Sequence, residues 1–552
     1  MNSSVHSDDL PTGPATRRGP EYLVLASIVL IAIFLRTHLI SEVTFSFDEA
    51  CSWKISQFSW TETWNAVSRD AHPPLYYAIL KAWGALTGED AAGVRSFSVL
   101  MGAASVIAAY AFVRTAVDTD ESSSAFGPLL AAALVAGSAL HVEMGLQARP
   151  YTLGTFLALI SATFLIRWLR NQGTMSDWGL FTGAICLLSF THYYCLFTVG
   201  AECLFAACVA VSTWFRMGWK GGAKRLVLGL LASLWILQMA WSFWLPVFLD
   251  QRERSTSQLW MEPFSWSSFS ATVGQVLAGG QLVSPPEAFG NIAIAAWIVA
   301  VLGLVFLGNR TVRLAALCAA FPLVAVIAYA LMVRNVLGGK YLIFAHTFLL
   351  VGVAILAARI PWKWCRILIA IGLCSWSTYW CLQHAEARNQ IAQNAGVQDI
   401  VRFLKDRRNA DEPVLVSSQF VHPIVQFYLS NYTTLVRTQY FGNHGRDMLG
   451  GPPLRESEYR DNDRVWHPPT QCVWVVDVYN LFGEGNRLEV EAPQGWQMVG
   501  QEEFREANGL ACILAVREYR REPRIHDSGV VVDAPEEGQQ RDSLSGGSND
   551  DR

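Results

Sequence analysis

The groups in this chain that could do chemistry are concentrated in two nearby runs, Phe45-Ser-Phe-Asp48-Glu49-Ala-Cys-Ser-Trp53 and Arg69-Asp-Ala-His72-Pro73-Pro74-Leu-Tyr76-Tyr77. They hold adjacent carboxylates, an imidazole and two phenols, the side chains that move protons and hold hydroxyls. Two cations join them from further along, Arg149 in Gln147-Ala148-Arg149-Pro150-Tyr151 and Lys340 in Lys340-Tyr341-Leu342. A carboxylate within hydrogen-bond reach of a hydroxyl can take its proton. Fixed cations can hold the charge of an anionic leaving group. No His, Cys, Asp or Glu residues fall at metal-ligand spacing, and dependence on a divalent ion is left open.

These groups can act together only if the elements carrying them meet. Of 552 residues, 52% are hydrophobic and only 16% charged, whereas soluble domains carry about a quarter charged residues. The charges gather at the two ends and in short clusters between long apolar runs, the pattern of a membrane protein. No basic domain stands out, so nucleic acid is not an expected partner. Most of the 11 cysteines, such as Cys195 and Cys318, lie inside apolar runs, where Cys acts as a small hydrophobe. Cys472 and Cys512 lie in a polar region and could pair if it faces an oxidising compartment.

An apolar stretch from Tyr22 to Ile40 is long enough to cross a bilayer, at about 20 residues per crossing. Ten more follow near 94–115, 126–143, 150–168, 177–193, 195–213, 224–248, 288–307, 312–333, 341–358 and 364–381, about eleven in all. With the N-terminus in the cytoplasm, the clusters at Arg17 and Arg18, Arg167 and Arg170, Arg216 to Arg225, Arg310 and Arg313, and Arg359 to Arg366 all fall inside, as the positive-inside rule requires. Segments 41–92, 250–287 and everything after about 382 then face outward. Aromatics at Trp53, Phe58, Trp60 and Trp64 suggest an amphipathic helix lying in the interface. The reading divides the chain into a polar tail 1–20, a transmembrane region 21–382 with outward loop 41–92, an outward soluble domain 383–521 and an acidic disordered tail 522–552. In the soluble domain a helix is predicted over 399–407 and strands over 413–417, 472–477 and 511–516, a small α/β unit.

The motifs have a specific order: Leu35-Arg36 ending the first span, Asp48-Glu49-Ala50, His72-Pro73-Pro74-Leu75-Tyr76-Tyr77, Gly88, Arg95-Ser96-Phe97-Ser98, then the turn at 147–151. This order resembles the dolichyl- or polyprenyl-phosphate-sugar-dependent glycosyltransferases of family thirty-nine, the protein O-mannosyltransferases and aminoarabinose transferases of the GT-C membrane fold. The likeness covers roughly residues 21–170, with a looser echo at Lys340-Tyr341. Relatives frequently carry an acid where this chain has Gln147, and Glu143 is a candidate substitute. The resemblance implies an α-helical multi-pass GT-C-like protein in the plasma (inner) membrane. It also implies inverting transfer of a hexosyl or pentosyl group from a polyprenyl-phosphate donor to a hydroxyl on a protein, lipid or cell-envelope glycan. Asp48 is then the expected base. Arg149 and Lys340 are the expected phosphate contacts, with Arg95 and Arg36 weaker ones, and Glu49, His72, Tyr76, Tyr77, Tyr151 and Tyr341 are expected to line the substrate pocket.

Plainer uses compete with each assignment. Asp48 and Glu49 could cap a helix, Tyr76 and Tyr77 could be interfacial belt residues, and Arg36 could snorkel to headgroups. His192 reads as an ordinary interfacial histidine, and the Trp-rich segment 241–266 as a gating loop or a belt. A transporter or lipid flippase is the alternative from another class, though no matched halves are visible. A non-catalytic lipid-binding relative is the other.

Overall fold

The structure is a computed structural model that describes residues 19–117, 125–170, 173–219, 222–257, 263–429, 433–436, 453–454, 458–460, 466 and 471–522. The predicted tails 1–20 and 522–552 lie outside these residues apart from Gly19, Pro20 and Glu522. Gly19 and Pro20 belong to the first helix, α1 (Gly19–Thr37), where proline in the opening turn costs no hydrogen bond.

The loop expected after α1 folds into three short helices, α2 (Phe47–Ser56), α3 (Trp60–Arg69) and α4 (Leu75–Thr87). The single amphipathic helix expected over Trp53–Trp64 is therefore replaced by two. The first ends at Ser56 with Gln57 as its cap, and Ser59 starts the second, its side chain and Glu62 forming a capping box. Trp60 and Trp64 are exposed on α3, while Phe58 is buried.

Long helices follow: α5 (Ala91–Ala116), α6 (Phe126–Gly137), α7 (Ala139–Gly145), α8 (Tyr151–Leu169), α9 (Met175–Ser189), α10 (Cys195–Met217) and α11 (Gly222–Trp241). Next come α12 (Leu245–Ser257), α13 (Trp266–Leu277), α14 (Glu287–Leu307), α15 (Val312–Met332), α16 (Ile343–Ala358) and α17 (Lys363–Gln393). Among the described residues nine helical stretches are long and apolar enough to cross a bilayer, and the pair α6 and α7, bent by 60°, makes a tenth. The remaining predicted span, 177–193, corresponds to α9, which has 15 residues. Leucines and phenylalanines such as Leu23, Leu30, Phe34, Phe306 and Leu368 are exposed on these helices, as a surface facing lipid requires. The chain is a multi-pass α-helical membrane protein.

Buried polar groups fix the bundle. Arg36 is fully buried and donates to the carbonyls of Val135 and Ala136 at 3.1 and 3.0 Å, where α6 ends. It neither snorkels nor reaches toward a phosphate. It satisfies carbonyls freed by the α6–α7 bend, which otherwise would be costly in an apolar setting. The close packing explains two glycines: a Cβ on Gly102 or Gly145 would lie 2.8 Å from the Arg36 side chain.

Helix α17 continues without a break past the predicted end of the last span and leads into α18 (Gly396–Arg407) and a sheet. The strands are β1 (Val414–Val416), β2 (Thr433–Val436), β3 (Tyr459–Arg460), β4 (Cys472–Tyr479), β5 (Arg487–Leu488), β6 (Trp496–Glu506) and β7 (Cys512–Arg521), with α19 (His422–Leu429) between β1 and β2. Their order is β3-β2-β1-β4-β7-β6, with β5 beside β4. Strands β1 to β4 are parallel, and β7 and β6 return antiparallel. The expected α/β unit is present. Cys472 lies opposite Arg520 and Cys512 opposite Glu506, at the two ends of β7, and both thiols are free. Strand register thus rules out the pairing considered from sequence.

Candidate active site

The local fold separates the two adjacent carboxylates. Ser46 caps α2, and Glu49 completes a capping box, its Oε2 accepting the Ser46 N–H at 3.0 Å. The same carboxylate takes two bonds from Arg95 of α5, at 2.8 and 2.9 Å, and one from the Ala148 N–H at 3.0 Å. Arg95 also donates to the carbonyls of Val43 and Ile40 at 2.9 and 2.6 Å. Both side chains are buried and mutually satisfied. This pair anchors the start of α2 to α5, and the capping role falls to Glu49 rather than Asp48.

Asp48, one residue earlier on the helix, is left open: 37% of its side chain remains accessible. Its Oδ2 accepts from Lys340 Nζ at 2.8 Å. Lys340 arrives on a 3-10 turn, Gly339–Leu342, that leads directly into α16. Burial alone would push the Asp48 carboxyl up, but the Lys340 and Arg149 cations hold it below the usual carboxylate range. Asp48 is therefore an ionised, partly accessible carboxylate between two cations.

Arg149 sits between α7 and α8 and is buried. Its Nη1 donates to the Asp48 carbonyl at 3.1 Å and to Ser52 Oγ at 2.9 Å, and its Nη2 faces His72 Nε2 at 3.1 Å. Because a guanidinium can only donate, that ring nitrogen is the unprotonated one. The Nδ1–H then donates to Asp70 at 3.3 Å, and Tyr77 donates to the same Asp70 oxygen. Burial, then Arg149, keeps the His72 imidazole below its usual pKa, against the opposing pull of Asp70. Tyr77, Asp70, His72, Arg149 and α2 form one continuous polar chain. Pro73 and Pro74 place it, since α4 begins at the next residue.

Aromatic rings enclose this chain. His192, at the α9–α10 turn, lies 4.9 Å from the His72 ring and 5.5 Å from those of Tyr151 and Tyr341. Tyr341 stacks on Tyr194 at 4.6 Å. Tyr76 packs between Tyr77 and Phe97. Asp48, Glu49, His72, Tyr76, Tyr77, Arg95, Arg149, Tyr151, Lys340 and Tyr341 thus lie in one constellation, whereas Arg36 and Glu143 do not. Sequence reasoning passed over Asp70, although it stands two residues before His72, and it left His192 as an ordinary interfacial residue.

Two further expectations change. Glu143 is turned away from Asp48: its Oε2 accepts the Gln281 N–H at 2.7 Å, and His384 lies 3.9 Å away. A Cβ on Gly280, which has φ +71°, would lie 2.2 Å from that oxygen, so only glycine allows the contact. Glu143 therefore anchors the turn between α13 and α14. The Trp-rich segment is likewise no simple belt. Trp244 is fully buried, 5.1 Å from Trp64, and donates to Tyr193 at 3.1 Å. Gln251 of α12 donates to the Val67 carbonyl at 2.9 Å and holds α12 against α3.

The sheet-containing unit grips the backbone leading to Asp48. Arg388 donates to the Leu39 carbonyl at 3.0 Å, Gln398 to Glu42 at 3.1 Å, and Asn508 to Thr44. The Phe45 N–H donates to Tyr428 at 3.1 Å, and Lys54 of α2 pairs with Glu458.

With this geometry in view, three comparisons bear on the chain. The family model for dolichyl-phosphate-mannose-protein mannosyltransferase matches residues 71–241. That stretch contains His72, Arg95, Arg149 and His192 but stops short of Asp48 and Lys340 on either side. No curated protein matches the sequence. Among solved structures, ArnT from Cupriavidus metallidurans in the apo state superposes with a TM-score of 0.52 at 10% identity, covering 84% of this chain and 93% of that one. The same protein bound to undecaprenyl phosphate gives 0.49 at 12% identity, covering 90% and 98%. The archaeal oligosaccharyltransferase AglB from Archaeoglobus fulgidus gives 0.45 at 11%, covering 76% and 64%. The apo ArnT superposition establishes a common fold. The chain is a multi-pass membrane protein that shares the GT-C fold, and its residues 71–241 resemble the mannosyltransferase family model.

Proposed function

We propose that this protein is an inverting glycosyltransferase that uses a polyprenyl-phosphate-linked sugar and an acceptor hydroxyl at the outer face of the membrane. One observation carries the reading: Asp48 is an open carboxylate flanked by Lys340 and Arg149 at the mouth of a buried polar site. The acceptor oxygen attacks the anomeric carbon while Asp48 takes its proton. The bond from that carbon to the phosphate oxygen breaks, and the polyprenyl phosphate leaves with the electron pair. Lys340 and Arg149 stabilise the departing charge, which a partly dehydrated site makes more effective than in water. His72, Tyr76, Tyr77, Tyr151 and Tyr341 bound the space for the sugar, while Glu49 and Arg95 position α2.

The reading includes a cytoplasmic N-terminus, an outward loop 41–92 and an outward domain over 383–521, because that orientation places the basic clusters inside. It leaves Arg149 and Lys340 outward, where an anionic lipid partner explains them. Undecaprenyl phosphate titrated against the purified protein tests the anion site. Lys340→Gln is expected to weaken its binding by about tenfold, the size of one charge-assisted contact. Unchanged binding in both Lys340→Gln and Arg149→Gln would remove the phosphate assignment.

A further inference from the structure

We infer that Tyr194, at the turn between α9 and α10, is a positioning residue that sets Lys340 against Asp48 by holding the chain on both sides of Lys340. What that placement does for catalysis rests on the proposed reaction; the hold itself does not. Lysine is a point charge on a flexible four-carbon stem, so the place of its ammonium depends on where its backbone is fixed. Among the described residues the Lys340 Nζ has one hydrogen-bond acceptor, Asp48 Oδ2 at 2.8 Å. The Tyr341 ring lies 5.6 Å from the same nitrogen. The backbone carrying Lys340 must therefore be set in place by another element.

Local structure does not do this. Residues 333–338, between the end of α15 and the Gly339–Leu342 turn, form neither helix nor strand. The Leu337 N–H bonds to Asn335 Oδ1 and the Tyr341 N–H to the Gly338 carbonyl, both at 3.0 Å. Bonds between such near neighbours shape a turn without placing it against another helix. Leu337 and Leu342 are buried, but apolar burial is not directional. Tyr194 supplies direction at two points. Its O–H donates to the Val336 carbonyl, and its ring stacks on that of Tyr341 at 4.6 Å, with the planes 22° apart. One point lies four residues before Lys340 and the other directly after it.

Tyr194 is itself fixed. Its N–H donates to Nδ1 of His192 at 3.1 Å, and its ring meets Phe197 edge-on at 5.8 Å. The buried His192 thereby gains a task, since it closes the turn that aims Tyr194. A tyrosine suits the position because its ring face and its hydroxyl bind different points of one segment. Phenylalanine would keep the stack and lose the bond to Val336, whereas leucine would lose both.

Undecaprenyl phosphate titrated against the purified full chain reads the placement of Lys340 without sugar transfer. Tyr194→Leu is expected to weaken binding about tenfold and Tyr194→Phe about threefold, the scale of an aromatic pair with and without its hydrogen bond. Combined with Lys340→Gln, Tyr194→Leu should weaken binding by no more than about twofold further, because the ammonium it acts through is gone. Effects that multiply in the double variant would make Tyr194 merely structural and overturn the inference, as would native binding by both Tyr194 variants. Tyr194→Phe carries the same comparison where Tyr194→Leu folds poorly. Native binding by Lys340→Gln also overturns the inference, whereas the phosphate assignment falls only when Arg149→Gln binds normally too. The rate profile gives a second readout. Lys340, Arg149 and His72 face Asp48, and withdrawing Lys340 should move the acid limb to higher pH in Tyr194→Leu as in Lys340→Gln. A limb that moves in Lys340→Gln alone overturns the inference.

Discussion

At the scale of single residues, the division between Asp48 and Glu49 decides which carboxylate is available as the proposed base. Adjacent in sequence, they point into opposite circumstances: Glu49 is consumed by the Ser46 cap and Arg95, while Asp48 faces Lys340 and open space. A base must be ionised to accept a proton, and a lowered pKa keeps Asp48 ionised through the neutral range. Loss of activity on acidification should therefore begin only below the ordinary carboxylate range. Lys340→Gln removes a lowering influence, so the acid limb of the rate profile should move to higher pH and the Michaelis constant for the donor should rise. A limb that stays in place would show that Lys340 does not tune this carboxylate. The carboxylate was legible in the sequence because it stands beside the first span within an ordered motif set. Its separation from Glu49 was not, since the capping geometry depends on Ser46 and on Arg95 from another helix.

At the scale of elements, α2 is held like a wedge between α5, the α7–α8 turn and the sheet unit. Breaking a fully buried ion pair by removing one partner costs about 3–5 kcal/mol. Arg95→Leu should accordingly lower the melting temperature strongly, whereas Asp48→Asn should leave it nearly unchanged; thermal unfolding in detergent compares them directly. Gly102→Leu should also destabilise, by about 1–3 kcal/mol for overpacking against Arg36. The spans themselves were readable because long apolar runs and basic clusters alternate. The bend between α6 and α7 was hidden, since Arg36 compensates it from a hundred residues away. Strand β6 was hidden for a different reason. Its run Trp496–Glu506 is charged and largely exposed, as sheet edges often are to discourage further pairing, and such a run carries no apolar alternation.

At the scale of the whole molecule, the C-terminal unit is part of the site rather than an appendage. Tyr428→Phe removes one bond to the loop, worth about 1 kcal/mol. It should lower turnover severalfold with little change in donor affinity, measured by steady-state kinetics. The unit also carries its own pH response. Burial pushes the Glu506 carboxyl up to about 7, against the N–H groups of Val397 and Asn508. The folded state then holds that proton more tightly than the unfolded chain, so stability should decline as pH climbs from the usual carboxylate range toward 7. Glu506→Gln should flatten that slope in pH-dependent melting curves. The most direct test of the central claim incubates membranes holding the protein with radiolabelled polyprenyl-phosphate sugars, native chain against Asp48→Asn. The account predicts label moving to a glycan, protein or lipid fraction with the native chain. It predicts a fall of about a hundredfold or more with the equally abundant variant. Equal transfer by the two would contradict Asp48 as the base.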